Sequence, residues 1–166
     1  NKFRYNTDEI HLPVRTILYA TQRNPHTMTL QVGMRASRTQ QVTVDDIELF
    51  AQVSGDNNPV HLDDDYAATT QFGRRIAHGM YTVSLISAIL GNDLPGRGTI
   101  YLGQEIQFKA PVYAGDTITA TVECIKYREK RRIATFKTTA VNQDDTLVVT
   151  GEAVVLAPEP DTSDAT

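Results

Sequence analysis

Asp56 and His61 are the residues of this chain best suited to acid–base chemistry. They place a carboxylate and an imidazole five positions apart in the run Ser54-Gly55-Asp56-Asn57-Asn58-Pro59-Val60-His61. An acceptor and a titratable ring aimed at one water can take a proton from it and deliver one nearby. The run cannot be one continuous helix. Pro59 has no amide proton and turns Asn58 away from helical backbone. Gly55 frees the chain just before Asp56. A shaped turn is therefore predicted. A structural reading stands beside the chemical one: Asp side chains often fold turns, and His61 is then an ordinary half-buried ring.

Ala77-His78-Gly79-Met80 is the second candidate. It precedes an apolar segment that reads as a buried helix, whose first amides are unpaired and lie at the positive end of the macrodipole. A glycine there lets a carbonyl oxygen come close to the backbone, as an oxyanion site requires. Alternatively Gly79 only permits tight packing, while His78 caps or packs. Asp56, His61, Asp63, Asp64 and Asp65 are clustered metal donors. Their spacing has neither the central glycine and terminal Glu of a calcium loop nor the paired histidines of a zinc helix, so no metal is expected. Ser84 and Ser87 have no nucleophile-elbow pattern. Cys124 falls on an alternating apolar face and reads as inert core. Lys126, Arg128, Lys130, Arg131 and Arg132 could meet substrate phosphates or simply protect a hairpin tip.

Helices must position these groups in the first half of the chain and strands must support them in the second. Thr43-Val44-Asp45-Asp46 resembles a capping box ahead of Ile47, Phe50, Ala51 and Val53. Asp63 is placed to cap a second short helix that ends near Gly73. His78 to Gly91 carries apolar residues around most of its circumference, which marks a helix buried on several sides. Beyond Leu94-Pro95-Gly96 the period becomes two. Ile100, Leu102, Ile106 and Phe108 form one apolar set, and Ile118, Ala120, Val122 and Cys124 another. Residues 133–141 and 147–156 supply two further strands, with 126–132 as a hairpin connection and 35–42 as an additional strand. The predicted fold class is α+β, a curved antiparallel sheet wrapping one long buried helix.

Length and composition bound the rest. One domain is the default for 166 residues, 40% of them hydrophobic. The formal net charge of -4 offers no general attraction to nucleic acid. The single cysteine points to a reducing compartment. No apolar run approaches the about 20 residues that cross a bilayer, so no membrane insertion is expected. Residues 10–44 contain no Asp or Glu but include Arg15, Arg23, Arg35 and Arg38. That bias resembles a transit peptide; an irregular arm or upstream extension over 1–29 is the favoured expectation, with Met28 offering a start for a shorter chain. Residues 158–166 read as a flexible polar tail.

The run from Phe50 to His61 resembles the hydratase motif of the MaoC-like, (R)-specific enoyl-CoA hydratases. The likeness continues through Phe72-Gly73-Arg74-Arg75-Ile76-Ala77-His78-Gly79-Met80 and through Tyr101 to Val112, covering roughly residues 30–157. It implies a hot-dog fold, usually paired into a homodimer, and no cofactor. It implies syn hydration of trans-2-enoyl thioesters to (R)-3-hydroxyacyl thioesters, with coenzyme A or acyl carrier protein as carrier. A dehydratase of fatty acid synthesis is the alternative. Asp56 and His61 fall on the family's catalytic dyad and Gly79 on its oxyanion amide, with Asn58, His78 and Met80 as supporting pocket residues. A cytoplasmic location is expected, or a mitochondrial matrix one if the source is eukaryotic. Two other classes stay open: a hot-dog thioesterase, disfavoured because residues 66–92 carry no acid, and a non-catalytic acyl-binding module.

Overall fold

The computed structural model describes residues 30–159. The expected N-terminal arm and the tail from residue 160 onward lie outside them. Five strands, β1 (Arg35–Gln41), β2 (Ile100–Phe108), β3 (Thr117–Arg128), β4 (Ile133–Val141) and β5 (Leu147–Leu156), form one antiparallel sheet. Their order is β1-β3-β4-β5-β2, which leaves β1 and β2 at the edges. Helices α1 (Val44–Ser54), α2 (Pro59–Leu62), α3 (Asp64–Ala68) and α4 (Gly79–Asn92) lie between β1 and β2 in the chain.

Alternation builds the concave face of the sheet. Ile118, Ala120, Val122 and Cys124 of β3 are fully buried, as are Ala134, Phe136 and Ala140 of β4. Small residues dominate the middle strands, which leaves room for a helix against them. That helix is α4, which buries Tyr81, Leu85, Ile86, Ile89 and Leu90 in the same core and contacts β1, β2 and β3. Its all-round apolar character follows from being enclosed by a curved sheet. The arrangement is the hot-dog fold.

Helix α1 starts as its sequence predicts. The Asp46 amide donates to Thr43 Oγ1 at 3.2 Å, and the Thr43 amide donates back to Asp46 Oδ2 at 2.9 Å. Asp63 caps α3 through the Tyr66 amide at 2.9 Å.

Four details differ from the expectations. Pro59 does not merely break the chain; it occupies the first turn of α2, where a missing amide proton costs nothing. Helix α3 ends at Ala68 rather than near Gly73. The basic stretch is mostly strand, because β3 extends to Arg128 and only a short 3-10 turn, Glu129–Arg131, precedes β4. Finally, a bulge between Tyr101 and Gly103 breaks the β2 alternation. Tyr101 packs on the core, while Ile100, Leu102 and Phe108 remain more than half exposed.

Candidate active site

Asp56 enters the site from the C-terminal end of α1. Gly55 adopts φ 76° and returns its amide to Ala51 O at 2.8 Å, the left-handed stop that a glycine permits. The turn is then stitched locally. The Asp56 amide donates to Ser54 Oγ at 3.2 Å, and the Asn58 amide donates to Asp56 Oδ1 at 3.2 Å. Asn58, at φ -57° and ψ 125°, accepts the Val60 amide at 3.3 Å, so its side chain caps α2. That capping role occupies the residue expected to support the pocket. The Asp56 residue itself is exposed.

His61 lies in the one turn of α2 and is buried, with 8% of its surface exposed. Its Nδ1 lies 2.8 Å from Ile76 O. A carbonyl only accepts, so Nδ1 carries the ring proton and Nε2 is left with a free lone pair. The Ile76 carbonyl is itself fixed, because Ile76 bridges Tyr113 and the Ala77 amide donates to Val112 O at 2.7 Å. Burial lowers the His61 pKa below the usual imidazole range. The neighbouring His78 adds to the lowering, and the Ile76 bond and Asp56 oppose it.

His78 is 2% exposed and directly precedes α4. Its ring stacks on that of His61, with centroids 3.9 Å apart and 30° between planes. Phe50 packs on it at 5.1 Å. Its Nε2–H donates to Asp56 O at 2.9 Å. Ligating atoms of Asp56, His61 and His78 all lie within 4.8 Å of one another. The acids Asp63 and Asp64 are used elsewhere, in the α3 cap and in an ion pair with Arg75 at 2.9 Å.

Gly79 opens α4, and the Tyr81 amide makes the first helical bond, to His78 O at 3.1 Å. The amides of Gly79 and Met80 precede it, so they have no intrahelical acceptor. His78 makes no side-chain cap bond. A Cβ at this position would come 2.6 Å from Phe108 Cε1, so any larger residue would require the half-exposed Phe108 ring to shift. Phe50, Ser54, Asp56, His78, Gly79, Met80 and Phe108 line a pocket of about 210 Å³. Sequence reasoning had assigned Phe108 to the alternating apolar face and had not assigned Ser54 to the site. Only the closeness of α4 to the end of β2 places Phe108 here.

The matched family is described as MaoC like domain and covers residues 26–146. This chain belongs to the MaoC-like family. It is 48% identical over 130 residues to an (R)-specific enoyl-CoA hydratase of Aeromonas caviae, covering 78% of this chain and 97% of the relative. It also resembles R-hydratase PhaJ1 from Pseudomonas aeruginosa in its unliganded form. That likeness has TM-score 0.74 at 48% identity and covers 78% of this chain and 83% of the other. A mitochondrial 3-hydroxyacyl-[acyl-carrier-protein] dehydratase of Arabidopsis thaliana is more distant, 35% identical over 135 residues, or 80% of each chain.

Within the MaoC-like chain the arrangement offers two acceptors beside a set of unpaired helix amides. It can therefore hold a water on one side of a reacting carbon chain and a carbonyl oxygen on the other.

Proposed function

We propose that this MaoC-like protein is an (R)-specific enoyl-CoA hydratase. It adds water reversibly across trans-2-enoyl thioesters to give (R)-3-hydroxyacyl thioesters. The observation that carries the reading is the gathering of Asp56, His61 and His78 within 4.8 Å of one another, beside a pocket that Asp56 lines together with Gly79 at the start of α4. The names of relatives at 48% identity support the same reaction.

The chemistry follows from the groups. The thioester carbonyl makes C3 electrophilic, yet water is a poor nucleophile. The Gly79 amide, at the positive end of α4, donates to the thioester oxygen as it gains enolate charge. Asp56 and His61 hold one water against C3. As the water oxygen bonds to C3, one of its protons passes to the dyad and C2 receives a proton from the same face. One water held by groups on a single side accounts for syn addition. Met80 and Phe108 form the apolar wall beside the acyl chain.

Residues 30–157 act as one catalytic unit in this reading. Two copies pair through β2, whose outer edge has no partner strand among the described residues and carries exposed Ile100 and Leu102. Buried, unpaired Cys124 suits a reducing cytoplasm. Among the described residues no helix is long and apolar enough to cross a membrane. Dehydration of 3-hydroxyacyl groups on acyl carrier protein is the second reading, favoured by the name of the plant relative.

The test is hydration of crotonyl-CoA with chiral resolution of the product. Asp56→Asn and His61→Ala should each lower kcat by about 10²–10⁴-fold with the fold retained. Normal turnover in either variant, or an (S) product from the parent protein, refutes the assignment.

A further inference from the structure

The turn holding Asp56 has weak ties to the rest of the protein. From Gly55 to Asn58 its hydrogen bonds join residues within the same turn or the adjoining α1 and α2. One bond among the described residues reaches further, from His78 Nε2–H to Asp56 O, linking positions 22 apart in the chain at 2.9 Å. The same ring stacks on His61, and its own backbone continues directly into Gly79. His78 thus touches the turn that aims the carboxylate, the ring that accepts the proton, and the helix start that offers the oxyanion amide.

A second observation marks His78 as more than a packing residue. Its Nδ1 is buried and makes no hydrogen bond with the protein. An unmet acceptor in the interior is destabilising, and a carbon-only ring of similar shape would avoid it. The ring is 2% exposed and Phe50 covers it, so packing alone would be served by phenylalanine. What phenylalanine cannot supply is the Nε2–H donor.

We propose that His78 is a positioning residue for the hydration reaction, whose Nε2–H bond to the Asp56 carbonyl fixes the carboxylate in register with the Gly79 amide. The inference rests on the hydratase reading of the same site. It adds that the spacing between the water-holding and oxyanion groups is set by this side chain rather than by the turn itself. Reacting atoms must sit within a few tenths of an ångström of the productive arrangement, and a misplacement of about 1 Å can cost about 10²-fold in rate.

Two variants separate donor from ring. His78→Gln keeps an N–H donor at a similar reach but loses the stacked ring; His78→Phe keeps the ring and loses the donor. With crotonyl-CoA, His78→Gln should retain kcat within about tenfold, whereas His78→Phe should lose about 10²-fold with KM nearly unchanged. Thermal unfolding should leave His78→Phe at least as stable as His78→Gln, so that activity and stability rank in opposite order. Full kcat in His78→Phe, or equal losses in both variants, overturns the proposal. The parent protein supplies a test that needs no substitution. Nitrogen-15 NMR of labelled histidines should show His78 as the Nε2–H tautomer and His61 as the Nδ1–H tautomer at neutral pH. An Nδ1–H tautomer at His78 overturns the proposal even if a variant fails to fold. Absence of crotonyl-CoA hydration by the parent protein would instead refute the hydratase reading and leave the tautomer result standing.

Discussion

The bond from His61 Nδ1 to Ile76 O keeps the ring proton on Nδ1, so in the proposed hydration Nε2 is the nitrogen that meets the water. Burial lowers the His61 pKa, which gives the pH dependence a sign. In the unfolded chain the ring titrates near 6.5. In the folded protein the value is lower, so protons favour the unfolded state. The His61 contribution to stability is therefore fully present above about pH 6.5 and is lost as pH falls through the lowered folded value. The acid limb of kcat/KM for hydration should likewise lie below about 6.5, because protonation removes the free Nε2 lone pair. A rate profile from pH 4 to 8 checks this, and an acid limb above 7 refutes it. Gly79 is the other residue with a sharp expectation. In Gly79→Ala the new methyl would press on Phe108 from 2.6 Å and narrow the approach to the amide. Activity should fall at least about tenfold, while the half-exposed Phe108 ring moves aside and the fold survives; steady-state kinetics and circular dichroism read the two effects. The turn that carries Asp56 and His61 was legible in the sequence because Gly55 and Pro59 punctuate it, while their pairing as a dyad is what the family resemblance implies. The participation of Phe108 was not, because it lies far from Asp56 in the chain, and the bond from His78 to the Asp56 carbonyl was not, because it spans 22 positions.

Each element has a local reason and a tertiary one. The capping box of Thr43 and Asp46 is written in four consecutive residues, and the structure forms it. Thr43→Ala should destabilise the protein by about 1 kcal/mol, seen as a lower urea midpoint at unchanged slope. Because α1 delivers Gly55 and Asp56 to the site, the same variant tests how far a frayed α1 propagates into kcat. Helix α4 was legible from its apolar circumference. Its position is secured by polar links that sequence patterning does not reveal: Arg38 of β1 grips Asp93 just past the helix end at 2.5 and 2.9 Å, and Gln40 of β1 donates to Tyr81 Oη at 2.8 Å. Strand β2 shows where alternation misleads. Its period of two is real in the sequence, but the bulge beside Leu102 exchanges the faces for part of its length. A bulge depends on how β2 meets β5, and the isolated Gly103 within the strand is the one residue that signals it.

At the scale of the whole molecule, the sheet has two open edges among the described residues, and the one formed by β2 is the more apolar. Long edges with exposed aliphatic side chains invite pairing with another strand. A two-fold axis through this edge would pair β2 with its own copy in antiparallel fashion. Leu102→Arg should then convert a dimer to a monomer in sedimentation equilibrium. It should also lower activity, since Phe108 at the end of the same strand forms a wall of the pocket. A parent protein that sediments as a monomer would remove the basis for this expectation. The sequence by itself determined most of the elements, the central buried helix and the turn that carries Asp56 and His61, because those follow from short-range rules: period, capping, punctuation and a compact motif. Tertiary structure alone decided which imidazole nitrogen of His61 is bonded to the Ile76 carbonyl, that His78 reaches back across 22 positions to the Asp56 carbonyl, and that Gly79 lies against the Phe108 ring. Those outcomes depend on distances between segments that meet only when the sheet closes around α4, and chain order carries no record of such distances.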